Sequence, residues 1–599
     1  MAAFDNLHWP LAKQMRTTQS FCSRLVRTHR RFQHRLAAST VSHENGDGFA
    51  GLHHLVGAPV QAQGYGSAPP PQPGEFPLWT EHLLPVPVPY ERKVFCNRAL
   101  NMEGIKAFGF DMDYTLAQYR PDTFEALAHS QTVNKLVRHF GYPEVLRSFT
   151  FSWDWMMKGL ILDKAHGNVL KVDRHKYVKL CYHGFRPVSA EERNAIYNSN
   201  YQDLNFDSDQ YSLVDTLFSL AEAYLWCQLI ELKDSAHGSA LASKTYAQLY
   251  KDLRTAVDMC HRDGSLKKAV AQNPEKYIWK DPMLKEVLVS MRAGGRRLFL
   301  ATNSLWDYTN VAMNYVLDDK VGPDKSTDWL RFFDVVVVGC GKPGFFNSSG
   351  QLFHVDVKSG LLSNTDNGAP IIPVDEADRS EPAQPQPELP PGGMSPSRPR
   401  VFQGGCYRDL HRMLGVTSGE QVLYAGDHIY GDIVKAKKAI GWRTMLVVPE
   451  LAVELKLQGE TQMIQEELRV LRQQRGQLED QIQRFEWALQ QQGPNGDQDS
   501  QAYEKSAAML QGLKERRASL KRMHSEQLRH LHHRHHPIWG QILKTGYQNS
   551  RFAHQVERYA CIYTSHISNL AYYSPTQKWQ GRLDILAHED WHLTEPDQK

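Results

Sequence analysis

Two acids one residue apart close an apolar run, Ile105-Lys-Ala-Phe-Gly-Phe-Asp111-Met-Asp113-Tyr-Thr115-Leu. A hydrophobic run of this length reads as a buried strand, and open α/β sheets bind their ligands at the carboxyl ends of such strands. Side chains two apart on an extended chain share a face, so Asp111 and Asp113 are crowded together there. Crowded carboxylates repel unless a cation or a shared proton separates them, which signals either a Mg²⁺ site or an acid/base pair.

Three further strand ends carry complementary chemistry. Gly295-Arg-Arg-Leu-Phe-Leu-Ala-Thr302-Asn303-Ser304 finishes in hydroxyl and amide donors suited to phosphate oxygens. Phe332-Phe-Asp-Val-Val-Val-Val-Gly-Cys-Gly-Lys342 holds four consecutive valines, the mark of a strand covered on both faces, and Lys342 just beyond it is placed to neutralise an anion. Gln421-Val-Leu-Tyr-Ala-Gly426-Asp427-His-Ile-Tyr-Gly431-Asp432 again ends in acid; Gly426 is read as permitting a tight turn, and Asp432 as an N-cap that faces Asp427. Lys435, Lys437, Lys438 and Arg443 follow it, a solvated helix face or a polyphosphate patch.

The elements that must position these ends come from a chain of 599 residues, enough for several domains. With 23% charged residues and a net charge of +3, no global field argues for nucleic acid or a membrane surface. Eight scattered cysteines without a C-x-x-C pair suit a reduced intracellular compartment, and no apolar run reaches the roughly eighteen residues of a membrane span. Residues 1–90 are set apart: an Arg-rich, acid-poor start of the transit-peptide or basic-arm type, then a Gly/Pro-rich linker. The expected parse is a parallel-sheet core over 91–117 and 286–452, interrupted by a Pro-rich disordered insertion at 366–400. A cap domain at 118–285 and a helical region at 453–599 complete it.

Within the cap, Lys158 to Asp173 alternates and turns at Gly167-Asn168, predicting a hairpin, while Ser212 to Leu232 carries helical spacing. Leu249 to His261 is a second helix on which Arg254, Asp258 and His261 fall at i, i+4 and i+7, an arrangement that by spacing alone is an exposed ion pair. Leu455 to Gln492 and Ala502 to His533 predict two long helices in a hairpin or coiled coil. The histidines between 524 and 536 could bind a metal in vitro, but without cysteine partners they argue against a biological metal site, and the tail from Phe552 through Leu570 is read as an amphipathic helix packing back on the core or on another subunit.

The four strand ends together resemble the motif set of haloacid dehalogenase-type phosphatases. Phe-Gly-Phe-Asp-Met-Asp-Tyr-Thr-Leu, Phe-Leu-Ala-Thr-Asn-Ser, Gly-Asp-His-Ile-Tyr-Gly-Asp-Ile and Gly441-Trp-Arg-Thr444 look like the cytosolic purine 5′-nucleotidases and their domain-containing relatives, over roughly Arg98 to Tyr573. The resemblance implies a Rossmann-like parallel sheet and a Mg²⁺-dependent 5′-nucleotidase working through an aspartyl-phosphate. Asp111 would be the nucleophile and Asp113 the acid and base, with Thr302 and Lys342 on the phosphoryl oxygens. Mg²⁺ would be held by the Asp111 carboxylate, the Asp113 carbonyl and Asp427, with Asp432 ordering its surroundings. Arg254, Asp258, His261, Lys267, Asn303 and Ser304 match substrate-binding positions, which implies IMP and GMP before AMP and possible phosphotransfer to a nucleoside. Arg262 stands where purine-specific members carry an aromatic ring. Lys158, Asn168, Lys438 and Arg443 match an effector site. The implied partners are a nucleoside monophosphate and further copies of the chain, as a tetramer, with no nucleic acid polymer and no membrane. The implied compartment is the cytoplasm, the Arg-rich start pointing instead to the mitochondrion or another organelle. A non-catalytic scaffold using the helical region, or a phosphatase for another phosphomonoester, are the competing readings.

Overall fold

A computed structural model describes residues 88–199, 204–235, 241–318, 326–347, 349–365, 400–492 and 500–581. The Arg-rich start and nearly all of the Pro-rich insertion therefore lie outside the described residues. Ten strands form the central sheet: β1 (Phe95–Cys96), β2 (Ala107–Phe110), β3 (Arg297–Ala301), β4 (Val335–Val338), β5 (Leu352–Val355), β6 (Leu362–Asn364), β7 (Arg400–Gly404), β8 (Val422–Gly426), β9 (Arg443–Val447) and β10 (Ile562–Thr564). Their order is β1-β10-β9-β8-β2-β3-β4-β7-β5-β6. The run from β10 to β7 is parallel, and β1, β5 and β6 add antiparallel edges. Every residue of β2 and β4 is buried, as a strand covered on both faces requires.

From β2 the chain winds outward in one direction through β3, β4 and β7, and later in the other through β8, β9 and β10. That reversal leaves a crevice at the carboxyl end of β2, where ligands of such sheets bind. Phe110 pairs with Leu300 on one side and Ala425 on the other, so the ends of β3, β2 and β8 are level.

The segment joining β2 to β3 carries a second sheet, antiparallel and five-stranded, and helices α1 (Pro121–Phe140), α2 (Ser219–Asp234), α3 (Tyr246–Arg262) and α4 (Ser265–Gln272). The hairpin at Gly167-Asn168 forms as its sequence demands, with Asp163 opposite Asn168 and Gly167 at φ 69°. Helix does not begin at Ser212, because Tyr211–Leu213 pairs with Ile161–Asp163; α2 starts at Ser219. Thr245 and Gln248 form a reciprocal capping box that starts α3. Helix α5 (Trp306–Asp318) follows β3.

Helices α6 (Gln462–Gln492) and α7 (Ser500–His535) pack antiparallel around Leu478, Ile482 and Leu513, with Glu479–Arg517 at 3.0 Å and Glu486–Lys514 at 2.8 Å across the seam. The tail departs from the expected single helix. Helix Arg551–Tyr559 stops, and Ile562–Thr564 joins the sheet beside β9, because its β-branched residues fill an open parallel edge. The histidines of α7 and its exit act structurally: His536 Nδ1 accepts from the Ile538 and Trp539 N–H groups at 3.1 Å. No described helix is long and apolar enough to cross a membrane.

Candidate active site

Beyond Phe110 the chain folds into a tight loop in which the Met112 carbonyl accepts from the N–H groups of Thr115, Leu116 and Ala117. Tyr114 takes a left-handed conformation there, φ 52°, at a backbone cost of roughly 1–3 kcal/mol. Burial of its ring, and its hydroxyl donating to Glu125 Oε1 at 2.9 Å, offset that cost. The loop thereby presents both acids of the Asp-x-Asp pair to one cavity.

Asp111, Asp427 and Asp432 converge, all buried, with ligand oxygens within 4.8 Å of one another. Lys342 reaches into this cluster, Nζ at 2.9 Å from Asp111 Oδ1 and 2.7 Å from Asp432 Oδ1, and donates to the Tyr424 hydroxyl at 2.9 Å. Burial raises the Asp111 carboxyl well above its usual range against the pull of Lys342, and pushes Asp427 up to about 6 against Lys158. Burial acts on Lys342 in the opposite sense, but Asp111 and Asp432 more than offset it and hold the ammonium well above its usual range. Three buried carboxylates facing one ammonium form an oxygen-donor set with surplus negative charge, which fits a hard divalent cation.

Asp432 does not act as the N-cap. His428 caps the turn Ile429–Val434 with its ring accepting from Gly431 N–H, and Asp432 sits inside the turn, accepting from His428 N–H at 3.3 Å. Gly426 likewise serves differently: it lies in extended β8, and a Cβ there would stand 2.5 Å from Asp432 Oδ2, so glycine supplies room for the acid.

The second acid of the pair has its own supports. Tyr119 donates to Asp113 Oδ1 at 2.6 Å and Ser304 to Oδ2 at 2.8 Å, while Tyr308 stands 2.6 Å from Tyr119 and Lys267 Nζ lies 3.4 Å from Ser304 Oγ. Asn303 braces the β3 and β4 ends reciprocally, accepting from Lys342 N–H at 2.7 Å and donating to its carbonyl at 3.1 Å. Thr302 is fully buried and its hydroxyl accepts from Ser304 N–H, while Asn303 and Ser304 line the cavity.

That cavity, about 720 Å³, is closed by the segment between β2 and β3. From it come Arg254, Asp258, His261, Arg262, Lys267, Thr216 and Phe218. Arg254 spans two acids, Glu222 at 2.8 Å and Asp258 at 2.8 Å. Burial, with Lys267 and Arg254 nearby, lowers the His261 imidazole below its usual range. Phe218 meets His261 edge-on with ring centres 6.4 Å apart, and Thr216 donates to Asp427 Oδ2 at 2.9 Å. A smaller space of about 360 Å³ continues behind Phe218 and His261. Thr216, Phe218, Glu222, Tyr119, Tyr308 and Tyr424 carry no spacing signal in the sequence; only the acid-bearing strand ends do.

The four residues matched to an effector site lie on separate segments, with Lys158 and Lys438 both against helix Arg551–Tyr559. Lys158 is buried at 3.4 Å from Glu450, and Asn168 is buried in its strand against Tyr197 and His183. Arg443 opens β9, at the end of the sheet opposite the acids, 3.6 Å from Glu420, and Lys438 lies over the Tyr559 ring.

A carboxylate paired with a buried lysine, two more acids beside it and a second acid of the Asp-x-Asp pair held by hydroxyls, all at the crevice of a parallel sheet, define a phosphoric monoester hydrolase. A model of the 5′ nucleotidase family matches residues 94–591, and the chain belongs to that family. It is 29% identical over 512 residues to a 5′-nucleotidase domain-containing protein of Dictyostelium discoideum, covering 85% of this chain and 76% of that one. It is 28% identical over 510 residues to the 5′-nucleotidase domain-containing protein 2 of Homo sapiens, covering 83% and 85%. A crystal structure of a haloacid dehalogenase-type phosphatase from Thermococcus onnurineus aligns with 57% of this chain and 86% of that one at 12% identity, with a TM-score of 0.21, too low to bear on the fold.

Proposed function

We propose that this chain is a Mg²⁺-dependent 5′-nucleotidase that hydrolyses purine nucleoside 5′-monophosphates, IMP and GMP before AMP, with phosphoryl transfer to a nucleoside as a second activity. The observation that carries the reading is the placement of Asp111 against Lys342 while Asp113, two residues on, is held by Tyr119 and Ser304 in the same cavity. Asp111 attacks the 5′-phosphorus in line and the ribose oxygen leaves with a proton from Asp113. Asp113 then takes a proton from the water that opens the aspartyl-phosphate, restoring Asp111 and releasing phosphate. Lys342 and the Asn303 amide steady the phosphoryl oxygens as charge shifts among them, a role the resemblance gave to Thr302, which is fully buried and does not line the cavity. A divalent cation bound by Asp111, Asp427 and the Asp113 carbonyl, with Asp432 beside it, would supply charge neutralisation on the phosphate.

The nucleoside would occupy the outer cavity. Asp258, held by Arg254, can accept from the N1–H of hypoxanthine or guanine, which adenine lacks. Phe218 offers the apolar ring that Arg262 does not. A second reading, a phosphatase for another phosphomonoester, is favoured by Arg254 being committed to Glu222 as well as Asp258. Homo-oligomeric assembly in the cytoplasm belongs to the same proposal. The test is phosphate release with Mg²⁺ from IMP, GMP, AMP, UMP and a sugar phosphate, beside Asp111→Asn. Turnover of IMP and GMP above the others, abolished in Asp111→Asn, is the expected result. Equal or greater turnover of the sugar phosphate would overturn the nucleotide reading, and no turnover by folded protein would overturn the enzyme.

A further inference from the structure

We propose that the hairpin of α6 and α7 carries a binding groove for a compact ligand with several phosphoryl groups, separate from the active cavity. The groove is an open trough of about 690 Å³ along the two helices, lined by Arg472, Arg475, Gly476, Glu479, Arg517, Ala518 and Lys521. Four cations face one acid there. Arg472 and Arg475 are three apart on α6, and Arg517 and Lys521 four apart on α7, so each helix presents its pair on one face, toward the other pair.

Three features mark a built site over a merely solvated charge run. The first is access: Gly476 sits exposed in a long helix, where it costs about 1 kcal/mol against alanine, and a Cβ there would meet nothing within 4 Å, so the backbone between the cations is open to a ligand from solvent. Together with Ala518 it opens the helix pair at the level of the four cations. The second is preorganisation. Arg472 lies over the Tyr547 ring at 4.9 Å, with His524 stacked on that ring at 5.5 Å, and Arg517 is held by Glu479 at 3.0 Å. The third is its short extent. Beyond its two ends Arg469 is paired with Glu466 at 2.7 Å and Lys514 with Glu486 at 2.8 Å, while within it, among the described residues, only Arg517 has an acidic partner, Glu479. An extended polyanion or an acidic helix needs a continuous stripe, whereas a cluster of about two helical turns suits a small, densely charged ligand. Three of the four cations are arginines, whose forks match phosphate oxygens in pairs.

The experiment is calorimetric titration of the full chain with inorganic tripolyphosphate in EDTA, which withholds metal from the active cavity. It is repeated on Gly476→Leu, which sets a branched side chain over the open backbone between the cations and is a better helix former, and on Arg475→Gln/Lys521→Gln. Both variants should keep wild-type helix content and phosphatase activity and weaken tripolyphosphate binding by at least about tenfold, and monophosphate should bind the wild type at least about tenfold more weakly than tripolyphosphate. Binding unchanged in both variants would put the ligand elsewhere and overturn the proposal. So would weakening in the charge variant alone, which means diffuse attraction, or a pentaglutamate peptide binding as tightly as tripolyphosphate, which means a protein partner. Because the groove shares no residue with the active cavity, these outcomes stand whether or not the nucleotidase reading does.

Discussion

Lys342 Nζ and Asp432 Oδ1 lie 2.7 Å apart although ninety positions separate them in the chain, and both side chains are almost fully buried. The pair joins the end of β4 to the turn after β8 across β2 and β3, which lie between those strands in the sheet. It holds the ammonium against Asp111 and keeps Asp432 among the acids.

Removing that cation leaves Asp111 and Asp432 without their shared counter-charge. Lys342→Met should lower unfolding stability by roughly 3–5 kcal/mol in EDTA, with part of the loss recovered on adding Mg²⁺, and should reduce kcat by roughly 100-fold or more. Urea unfolding with and without Mg²⁺ reads both effects. Unaltered stability in EDTA would mean that the lysine is not what balances the acids.

Gly426→Ala tests the close approach of β8 to Asp432. The new methyl would stand within 2.6 Å of three Asp432 side-chain atoms, so the acid must swing out of place. Stability should fall by roughly 1–3 kcal/mol and the Mg²⁺ concentration for half-maximal activity should rise by roughly 10–100-fold. An unchanged Mg²⁺ requirement would remove Asp432 from the cation site.

Tyr119 and Ser304 each hold Asp113, the proton donor and acceptor of the proposed mechanism, through one hydroxyl. Tyr119→Phe and Ser304→Ala should each lower kcat by roughly 10–100-fold with little change in KM. The deficit should shrink on p-nitrophenyl phosphate, whose leaving group needs no proton. A deficit of equal size on both substrates would point to a general structural role.

Glu125 gives the fold a pH dependence. Burial lifts its carboxyl to about 8 from an ordinary 4.5, even though Tyr114 donates to it. The folded state thus holds a proton that the unfolded state releases, so stability falls as pH rises from 4.5 through 8. Glu125→Gln keeps the shape and removes the titration. Urea unfolding at pH 5.5 and 8.5 should show the variant losing less stability than the wild type over that interval, and identical losses would assign the effect to another group.

The strand ends were legible because their signal is local. An apolar run that stops at Asp111-x-Asp113, at Thr302-Asn303-Ser304, at Lys342 or at Asp427 announces a covered strand and its polar terminus within a dozen residues. That these strands share a parallel, helix-clad sheet follows from the same runs, since strands covered on both faces suit such a sheet, while the order that levels their termini came from the tertiary structure. What surrounds the acids was decided by tertiary structure alone. Tyr119, Tyr424, Thr216 and Phe218 look like ordinary core residues until distant segments set a hydroxyl or a ring against Asp113, Lys342, Asp427 and His261. Arg254 reads as half of a surface pair with Asp258, and only the packing of α2 against α3 gives it Glu222 as well. Lys158 and Asn168 match their positions in sequence yet are buried, and Ile562–Thr564 follows an amphipathic helix yet joins the sheet between β1 and β9. In each case a long-range partner outbid the local pattern, because burial and pairing are worth kilocalories where spacing alone is worth tenths.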